Sequence, residues 1–265
     1  MKTKVYNYLK AGKLLLIKSA LLVLPLLVIA CDSGADLTPY DPNATQTTTL
    51  LTKIVETNDD GSELIVNFNY EGYKIVNFVD SDGESGVFTY SGNIISKIDY
   101  YQGVALVHTD LFTYNALGQI TSHTMQIHAD DYATREDFTH NSDGTVSFTS
   151  WYGTIDEQTG EDVSGKLFFS NGEVVKRETY IGSSLASQET FVYDDKNNPF
   201  RNVIGLNQAF IFKGEIDGVF RNLLETSGTT NPRFSTYTYT INGFPETSQL
   251  STALEGGLST EYFYL

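Results

Sequence analysis

The sequence predicts an all-β protein in which an antiparallel meander of repeated hairpins forms a strongly curved sheet or an open or closed barrel. Pairs of aromatic residues two positions apart recur along the chain. Each pair is followed by a turn rich in Gly and Asn and then by a second apolar run. Residues two apart in a strand point to the same face, so each pair places two rings on one face of the sheet. No long apolar period of 3.6 residues competes with this pattern.

The spacing of the pairs sets the number of strands. The pairs, which include one leucine and one histidine, are Phe68/Tyr70, Phe88/Tyr90, Phe112/Tyr114, Phe138/His140, Leu167/Phe169, Phe191/Tyr193, Tyr237/Tyr239 and Tyr262/Tyr264. The long gap after Tyr193 predicts one skipped period. Roughly 14–16 strands result, and a sheet of that size curls or closes.

The return strands predict local irregularities. Their apolar residues fall three apart, as in Ile75 and Phe78 or Ile95 and Ile98, where strict alternation would place them two apart. One extra residue in a strand is the signature of a β-bulge, and a bulge adds twist to the sheet.

The skipped period, near 196–233, predicts a loop or short-helix insertion, with mild helical spacing from Val219 to Leu224. Loops held by a rigid scaffold often carry function. The segment therefore supplies candidate ligand contacts, at Phe200, Phe210, Phe212 and Phe220. The alternative is a cap whose phenylalanines plug one end of the sheet, as apolar residues usually mark core.

The first 30 residues are interpreted as a lipoprotein signal peptide. Five lysines precede the apolar run Ala20–Ala30, which is too short for a spanning helix. The run ends in Val28, Ile29 and Ala30 before Cys31, a sequence similar to a bacterial lipobox. This predicts lipidation of Cys31. Because Cys31 is the only cysteine, an internal disulfide is excluded.

Residues 31–49 are interpreted as the lipidated cysteine and a flexible tether, and 50–265 as a single β-hairpin repeat domain. The tether is rich in Asp, Thr and Pro and lacks an apolar period. The whole chain has a formal charge of −16, and loss of the lysine-rich signal makes it more negative. This charge argues against nucleic acid or an anionic lipid surface as a partner. A membrane contact is expected through the N-terminal lipid.

The hairpin pattern Phe-x-Tyr-x-x-x-Gly-x-Ile resembles the YD or Rhs-type β-hairpin repeat. Together with the lipobox, the tether and the run VYDDKNNPFRNV, it resembles a group of Bacteroidota lipoproteins with a porin-like, all-β fold. The residues of that run that match are Tyr193, Asp194, Lys196, Asn198, Pro199 and Phe200. The resemblance covers about 50–265. It implies a porin-like fold and an envelope location, and it supplies no catalytic residues.

The histidines and turn aspartates predict no metal site. His123 and His128 are five residues apart, so in a strand they point to opposite faces, and their spacing matches no common zinc pattern. His108 and His140 add no such pattern. The pairs Asp59/Asp60 and Asp80/Asp82, each followed by glycine, lack the later ligands of a calcium loop, and turns themselves require Asp and Gly.

No enzyme, cofactor or catalytic residue is predicted. Adjacent carboxylates such as Glu136/Asp137 and Asp194/Asp195 face apart in strands, and no nucleophile, phosphate-loop or dinucleotide motif occurs. Trp151 and Tyr152 could stack on sugar rings or pack in the core.

The expected function is a lipid-anchored, non-catalytic binding or scaffold module of the cell envelope at the outer membrane, on either its periplasmic or its surface face. Its protein or glycan partner is not specified by the sequence. The alternatives are a periplasmic carrier of an apolar ligand inside the curved sheet, a membrane β-barrel and an enzyme.

Overall fold

The computed structural model describes residues 49–212, 218–252 and 256–265, and it forms a closed antiparallel barrel of sixteen strands. The strands are β1 (Leu51–Asn58), β2 (Glu63–Glu71), β3 (Lys74–Asp80), β4 (Glu84–Ser91), β5 (Ile94–Gln102), β6 (Ala105–Tyr114), β7 (Ile120–Ile127), β8 (Tyr132–His140), β9 (Val146–Gly153), β10 (Gln158–Ser170), β11 (Glu173–Ile181), β12 (Ser184–Tyr193), β13 (Leu223–Ser227), β14 (Arg233–Tyr239), β15 (Pro245–Thr252) and β16 (Gly256–Tyr264). Each strand pairs with its sequence neighbours, and β16 closes the ring on β1. The predicted all-β meander is confirmed. The lipidation site Cys31 and most of the tether lie outside the described residues.

Each aromatic pair lies in an even-numbered strand, from β2 to β16. The prediction of a skipped period is therefore wrong. Tyr193 ends β12 and pairs with Leu223 at the start of β13, so the long gap is an extended turn within one hairpin. The next hairpin, β14–β15, carries Tyr237 and Tyr239 in the usual place.

The predicted bulges are confirmed, and several of them bond a tyrosine hydroxyl of a neighbouring hairpin. Opposite Tyr90 the register shifts, so that Tyr90 pairs with Ile95 while Thr89 pairs with Lys97. The hydroxyl of Tyr114 in the next hairpin donates to the Ile95 carbonyl at 2.8 Å. A bulge removes one residue from the ladder and leaves its carbonyl in need of a donor.

The same contact recurs around the barrel. Tyrosine hydroxyls donate to carbonyls at register shifts in the contacts Tyr70–Leu51 (2.6 Å), Tyr193–Val174 (2.8 Å) and Tyr237–Leu223 (3.1 Å). The hairpin β8–β9 is the exception, because His140 pairs with Val146 without a shift. The following hairpin has Phe169 at the tyrosine position. Phe169 thus has no hydroxyl, and the neighbouring hairpin β8–β9 has no bulge whose carbonyl would need one.

The first ring of each pair builds the core inside the barrel. Phe68, Phe88, Phe112 and Phe138 are buried, and the intervening residues such as Thr89 and Thr113 face outward. Large rings are placed opposite glycines. Directly paired examples are Phe78 with Gly86 and Phe148 with Gly165, where an added Cβ would lie 2.1 and 2.2 Å from the ring.

The insertion is shorter than predicted and runs between Tyr193 and Leu223. Its helix is α1 (Leu206–Phe210), which contacts β5. Helical spacing from Val219 to Leu224 was misleading, because Leu223 begins strand β13. Val219 and Leu223 are spaced in this way because both are buried where the insertion joins the barrel.

The barrel has two ends with different connections. The N-terminal end, where β1 begins and β16 finishes, carries the tight hairpin turns and the insertion. The far end carries the remaining turns, such as 58–63 and 80–84. In the part of the chain that the structure describes, no helix has both the length and the apolar character needed to cross a membrane.

Candidate functional site on the inner face of the barrel

The inner face of β5–β7 carries a buried polar cluster around Asp110. The side chain of Asp110 is completely buried. Its Oδ1 accepts from Nε2 of His108 at 3.0 Å and from Nε2 of His123 at 2.9 Å. Its Oδ2 accepts from the hydroxyl of Tyr100 at 3.1 Å. Three donors thus surround one carboxylate, and His123 also stacks on Phe112 with 5.0 Å between ring centroids.

Strand geometry assembles this cluster. His108 and Asp110 are two apart in β6 and so share a face. Tyr100 of β5 pairs with His108 of β6. The next inward-facing pair of these two strands is Ile98 of β5 with Asp110 of β6. The signal available in the sequence was the His-x-Asp spacing within an apolar strand. The sequence by itself does not reveal the cluster, because the partners Tyr100 and His123 lie in other strands.

The hydrogen bonds define what the cluster can do. A carboxylate oxygen accepts, so both histidines direct Nε2–H toward the same oxygen of Asp110. The two ring nitrogens therefore converge on one carboxylate oxygen. Within 49–212, 218–252 and 256–265, no group of three or more His, Cys, Asp or Glu side chains is arranged to hold a metal ion.

Two buried acids lie beside this cluster toward the far end. Glu84 is 2% exposed, and burial raises the pKa of its carboxyl to about 8. Burial also raises the pKa of Asp80, although its Oδ1 accepts the backbone N–H groups of Asp82 and Glu84. Burial, followed by the charge and hydrogen bond of Asp110, raises the pKa of Tyr100. At neutral pH burial therefore favours the protonated form of the Glu84 carboxyl.

A second constellation lies on the outer face of the same strands. The hydroxyl of Thr109 donates to Oδ1 of Asp99 at 2.9 Å and lies 2.9 Å from Nε2 of His128. A hydroxyl has one hydrogen to donate, so His128 must supply its own. His128 therefore does not serve as a base for Thr109. His123 faces inward and His128 outward, as their spacing predicts.

A recess opens on the inner face beside β8–β11. It is lined by Glu136, Phe138, Phe148, Leu167, Arg177, Ile211 and Phe212. The recess has room for about one water molecule. Nη2 of Arg177 lies 3.6 Å from Oε1 of Glu136, and the guanidinium lies 4.9 Å from the centre of the Phe148 ring.

The structure places the four insertion phenylalanines in different surroundings. Phe200 is buried, with its ring centre 5.3 Å from that of Phe68. Phe212 is buried 4.9 Å from Phe138 and lines the recess. Phe210 packs against the core, and Phe220 is half-buried. Phe212 alone of the four borders the recess.

Two carboxylates, of the buried Glu173 and the half-buried Asp194, fix the insertion to the barrel. Glu173, 2% exposed at the start of β11, accepts the backbone N–H groups of Val219, Phe220 and Arg221 at 2.6–3.1 Å. Burial raises its pKa, and these donors oppose the shift. Asp194 accepts from the backbone and side-chain nitrogens of Asn222 at 3.0 and 2.8 Å. Asp194 belongs to the run VYDDKNNPFRNV, whereas Glu173 gave no signal in the sequence.

The remaining candidates fill structural positions. Asp60 bonds the hydroxyl and N–H of Ser62 within its turn. Asp137 faces outward and pairs with Arg135 at 3.1 Å, opposite to Glu136. Trp151 also faces outward, with the guanidinium of Arg135 5.7 Å from its ring.

Comparison with solved structures gives porin-like proteins from Bacteroides. A porin-like protein from Bacteroides vulgatus superposes with a TM-score of 0.53 at 14% identity, covering 82% of this chain and 99% of that one. A porin-like protein from Bacteroides uniformis gives a TM-score of 0.48 at 13% identity, covering 83% and 99%. The chain therefore shares the all-β fold of the Bacteroides vulgatus protein. No protein-family model matches the chain, and no curated protein sequence matches it.

Proposed function

We propose that this chain is a lipid-anchored protein of the cell envelope that acts as a non-catalytic binding or scaffold module. The observation that carries the proposal is the packed inner face. Buried rings from successive hairpins contact one another and the insertion inside the barrel, as in the Phe68–Phe200 and Phe138–Phe212 contacts. A barrel filled in this way offers its outer surface and turns for binding.

The outer face of β2 favours this function over a membrane-embedded barrel. Along β2 the residues that alternate with the buried Val66 and Phe68 are the exposed Asn67 and Asn69. The cross-strand contact of Asn69 with Asn77 at 2.7 Å extends this polar surface. A lipid-facing strand requires apolar residues at these positions.

The inner polar groups favour a structural role over catalysis. Asp110 is completely buried, and its bonded histidines are almost so. A reacting group must come within hydrogen-bond reach of substrate. The recess beside β8–β11 has room for about one water molecule and does not accommodate an apolar cargo.

Lipid labelling tests the anchor directly. The full chain would be produced in a Bacteroides host, beside Cys31→Ser. We expect mass spectrometry to find acyl chains on Cys31, and the chain to fractionate with the outer membrane. Cys31→Ser should move to the soluble fraction. Unmodified Cys31, or channels formed by the purified full chain in a planar bilayer, would overturn the proposal.

A further inference from the structure

The two ends of the barrel differ strongly in charge. The turns and adjoining strand ends at the far end carry a series of exposed acids: Asp59, Asp60, Glu63, Asp82, Asp130, Asp131, Asp156, Glu157, Glu161 and Asp162. The described far-end turns contain no lysine. Arg233, the first residue of β14, directly follows one of these turns. The negative charge of the chain is therefore concentrated at one end.

The N-terminal end carries cations as well as acids among its described residues. Lys74 donates to the Gly92 carbonyl at 2.7 Å, and Lys196 lies 3.2 Å from Asp195. Arg201 is exposed. The net charge of the whole chain predicted repulsion from an anionic lipid surface. The structure confines most of that repulsion to the far end.

Apolar residues project from turns at the N-terminal end. Leu117, between β6 and β7, is 83% exposed, and Ile241, between β14 and β15, is completely exposed. These turns are eight strands apart in a ring of sixteen and therefore lie on opposite sides of the rim. Turns normally favour polar residues. Two apolar tips on one rim are suited to the interfacial region of a bilayer.

The chain also enters the barrel at this end. The Thr49 carbonyl accepts from the side chain of Asn202 at 2.8 Å, and the Leu50 carbonyl accepts from Leu265 N–H at 2.9 Å. The tether that the sequence predicts between Cys31 and Thr49 would span on the order of 20–25 Å as a coil. A nine-residue strand is about 30 Å long. A lipid on Cys31 therefore brings the N-terminal end nearest to the membrane.

We propose that the N-terminal end of the barrel rests on the lipid bilayer, with Leu117 and Ile241 in the interfacial region and the acidic far end facing away. This inference rests on the lipid anchor of the proposed function. It adds a second, orienting contact to that anchor. Val104 and Ile181, 99% and 64% exposed at the far end, are apolar tips that the charge distribution keeps from the surface.

Single-cysteine labelling tests the orientation. Lipidation consumes Cys31, the only native cysteine, so an introduced cysteine is the only free thiol. The full lipidated chain would be reconstituted on the outside of vesicles of phosphatidylethanolamine and phosphatidylglycerol. Leu117→Cys and Ile241→Cys report on the N-terminal end, and Val104→Cys and Ile181→Cys are matched controls. The rate of reaction with a water-soluble maleimide is compared with that in detergent.

We expect the reaction at positions 117 and 241 to slow about tenfold on vesicles, as apolar tips enter the interface, and at 104 and 181 to be unchanged. Equal rates at all four positions, or slowing at 104 and 181, would overturn the orientation while leaving the anchor intact. Vesicle flotation of the wild-type chain is measured in parallel. A chain that does not float with the vesicles refutes the lipid anchor, and the orientation that depends on it is refuted as well.

Discussion

The inner face of the barrel holds two polar arrangements that differ in how completely they are bonded. Around Asp110, three donors from three strands approach one carboxylate, and the residues are packed. Beside β8–β11, Glu136 and Arg177 lie 3.6 Å apart at a recess, and both side chains keep a little exposure. His123 and Glu136 are directly paired, so the two arrangements are neighbours on one wall.

The difference teaches what a filled barrel tolerates inside. A buried charge is stable where hydrogen bonds replace its hydration, as at Asp110. An ion pair with looser geometry persists where solvent still reaches it. The fully hydrogen-bonded carboxylate of Asp110 lies within the regular hairpins β4–β7. The looser ion pair of Glu136 and Arg177 lies beside the β8–β9 hairpin, which lacks a bulge.

The largest effect is expected when the Asp110 acceptor is removed. Asp110→Ala leaves two imidazoles and a phenol buried without their partner, and we expect a loss of about 3–5 kcal/mol in the free energy of unfolding. Denaturant titration measures it. Asp137→Ala, on the exposed outer face, is the control and should change stability by less than about 0.5 kcal/mol. Equal losses in both variants would show that the cluster is not a stabilising network.

Glu84, beside the Asp110 cluster, should make the free energy of unfolding depend on pH. Its pKa is about 8 when folded, against 4.5 for the free side chain. The folded state therefore holds a proton that the unfolded chain releases. Stability is complete below pH 4.5 and falls as pH rises toward 8. We expect a loss of about 2 kcal/mol, since solvent near the far end screens part of the charge.

Glu84→Gln should remove most of that slope and raise the melting temperature at pH 8. The comparison variant is Glu63→Gln at the exposed start of β2, which should retain the wild-type slope. Thermal melts from pH 5 to pH 8 measure the pH dependence of stability in both variants and in the wild type. A Glu84→Gln protein whose stability falls as steeply as that of wild type would refute the role assigned to Glu84.

A smaller effect is expected at the recess. Arg177→Met leaves Glu136 without its cation, and we expect a loss of about 1–2 kcal/mol because solvent partly compensates. The double variant Glu136→Gln/Arg177→Met should recover most of that loss. A double-mutant cycle of denaturant titrations measures the coupling, and additive losses would contradict the assigned pairing.

The smallest effect compares a bulged hairpin with the unbulged one. Tyr114→Phe removes the hydroxyl that bonds the Ile95 carbonyl at 2.8 Å, which should cost about 1 kcal/mol. Phe169→Tyr adds a hydroxyl where β8–β9 has no bulge and should bring no gain. Chemical denaturation of the two variants measures both effects. If Tyr114→Phe has no effect, the hydroxyl does not stabilise the bulge.

The sequence predicted the repeating parts of this protein well. The ring pairs gave the hairpins and their inner face, and the three-residue spacing of Ile95 and Ile98 gave the bulges. These patterns are local, since alternation and register shifts depend on residues within one hairpin. The insertion was harder, because the spacing from Val219 to Leu224 fits a helix and a strand equally over so short a run.

The sequence alone determined a β-hairpin meander with a buried aromatic face, because each hairpin encodes its own alternation and turn. Tertiary structure decided the contacts among residues distant in the chain. Pairing of β5, β6 and β7 brought Tyr100, Asp110 and His123 into one packed wall, and the insertion folded back onto Glu173. The alternation of the turns gathered the acids at one end, and closure of β16 on β1 completed the ring. Such contacts depend on how several strands and the insertion pack together, and no single hairpin specifies that.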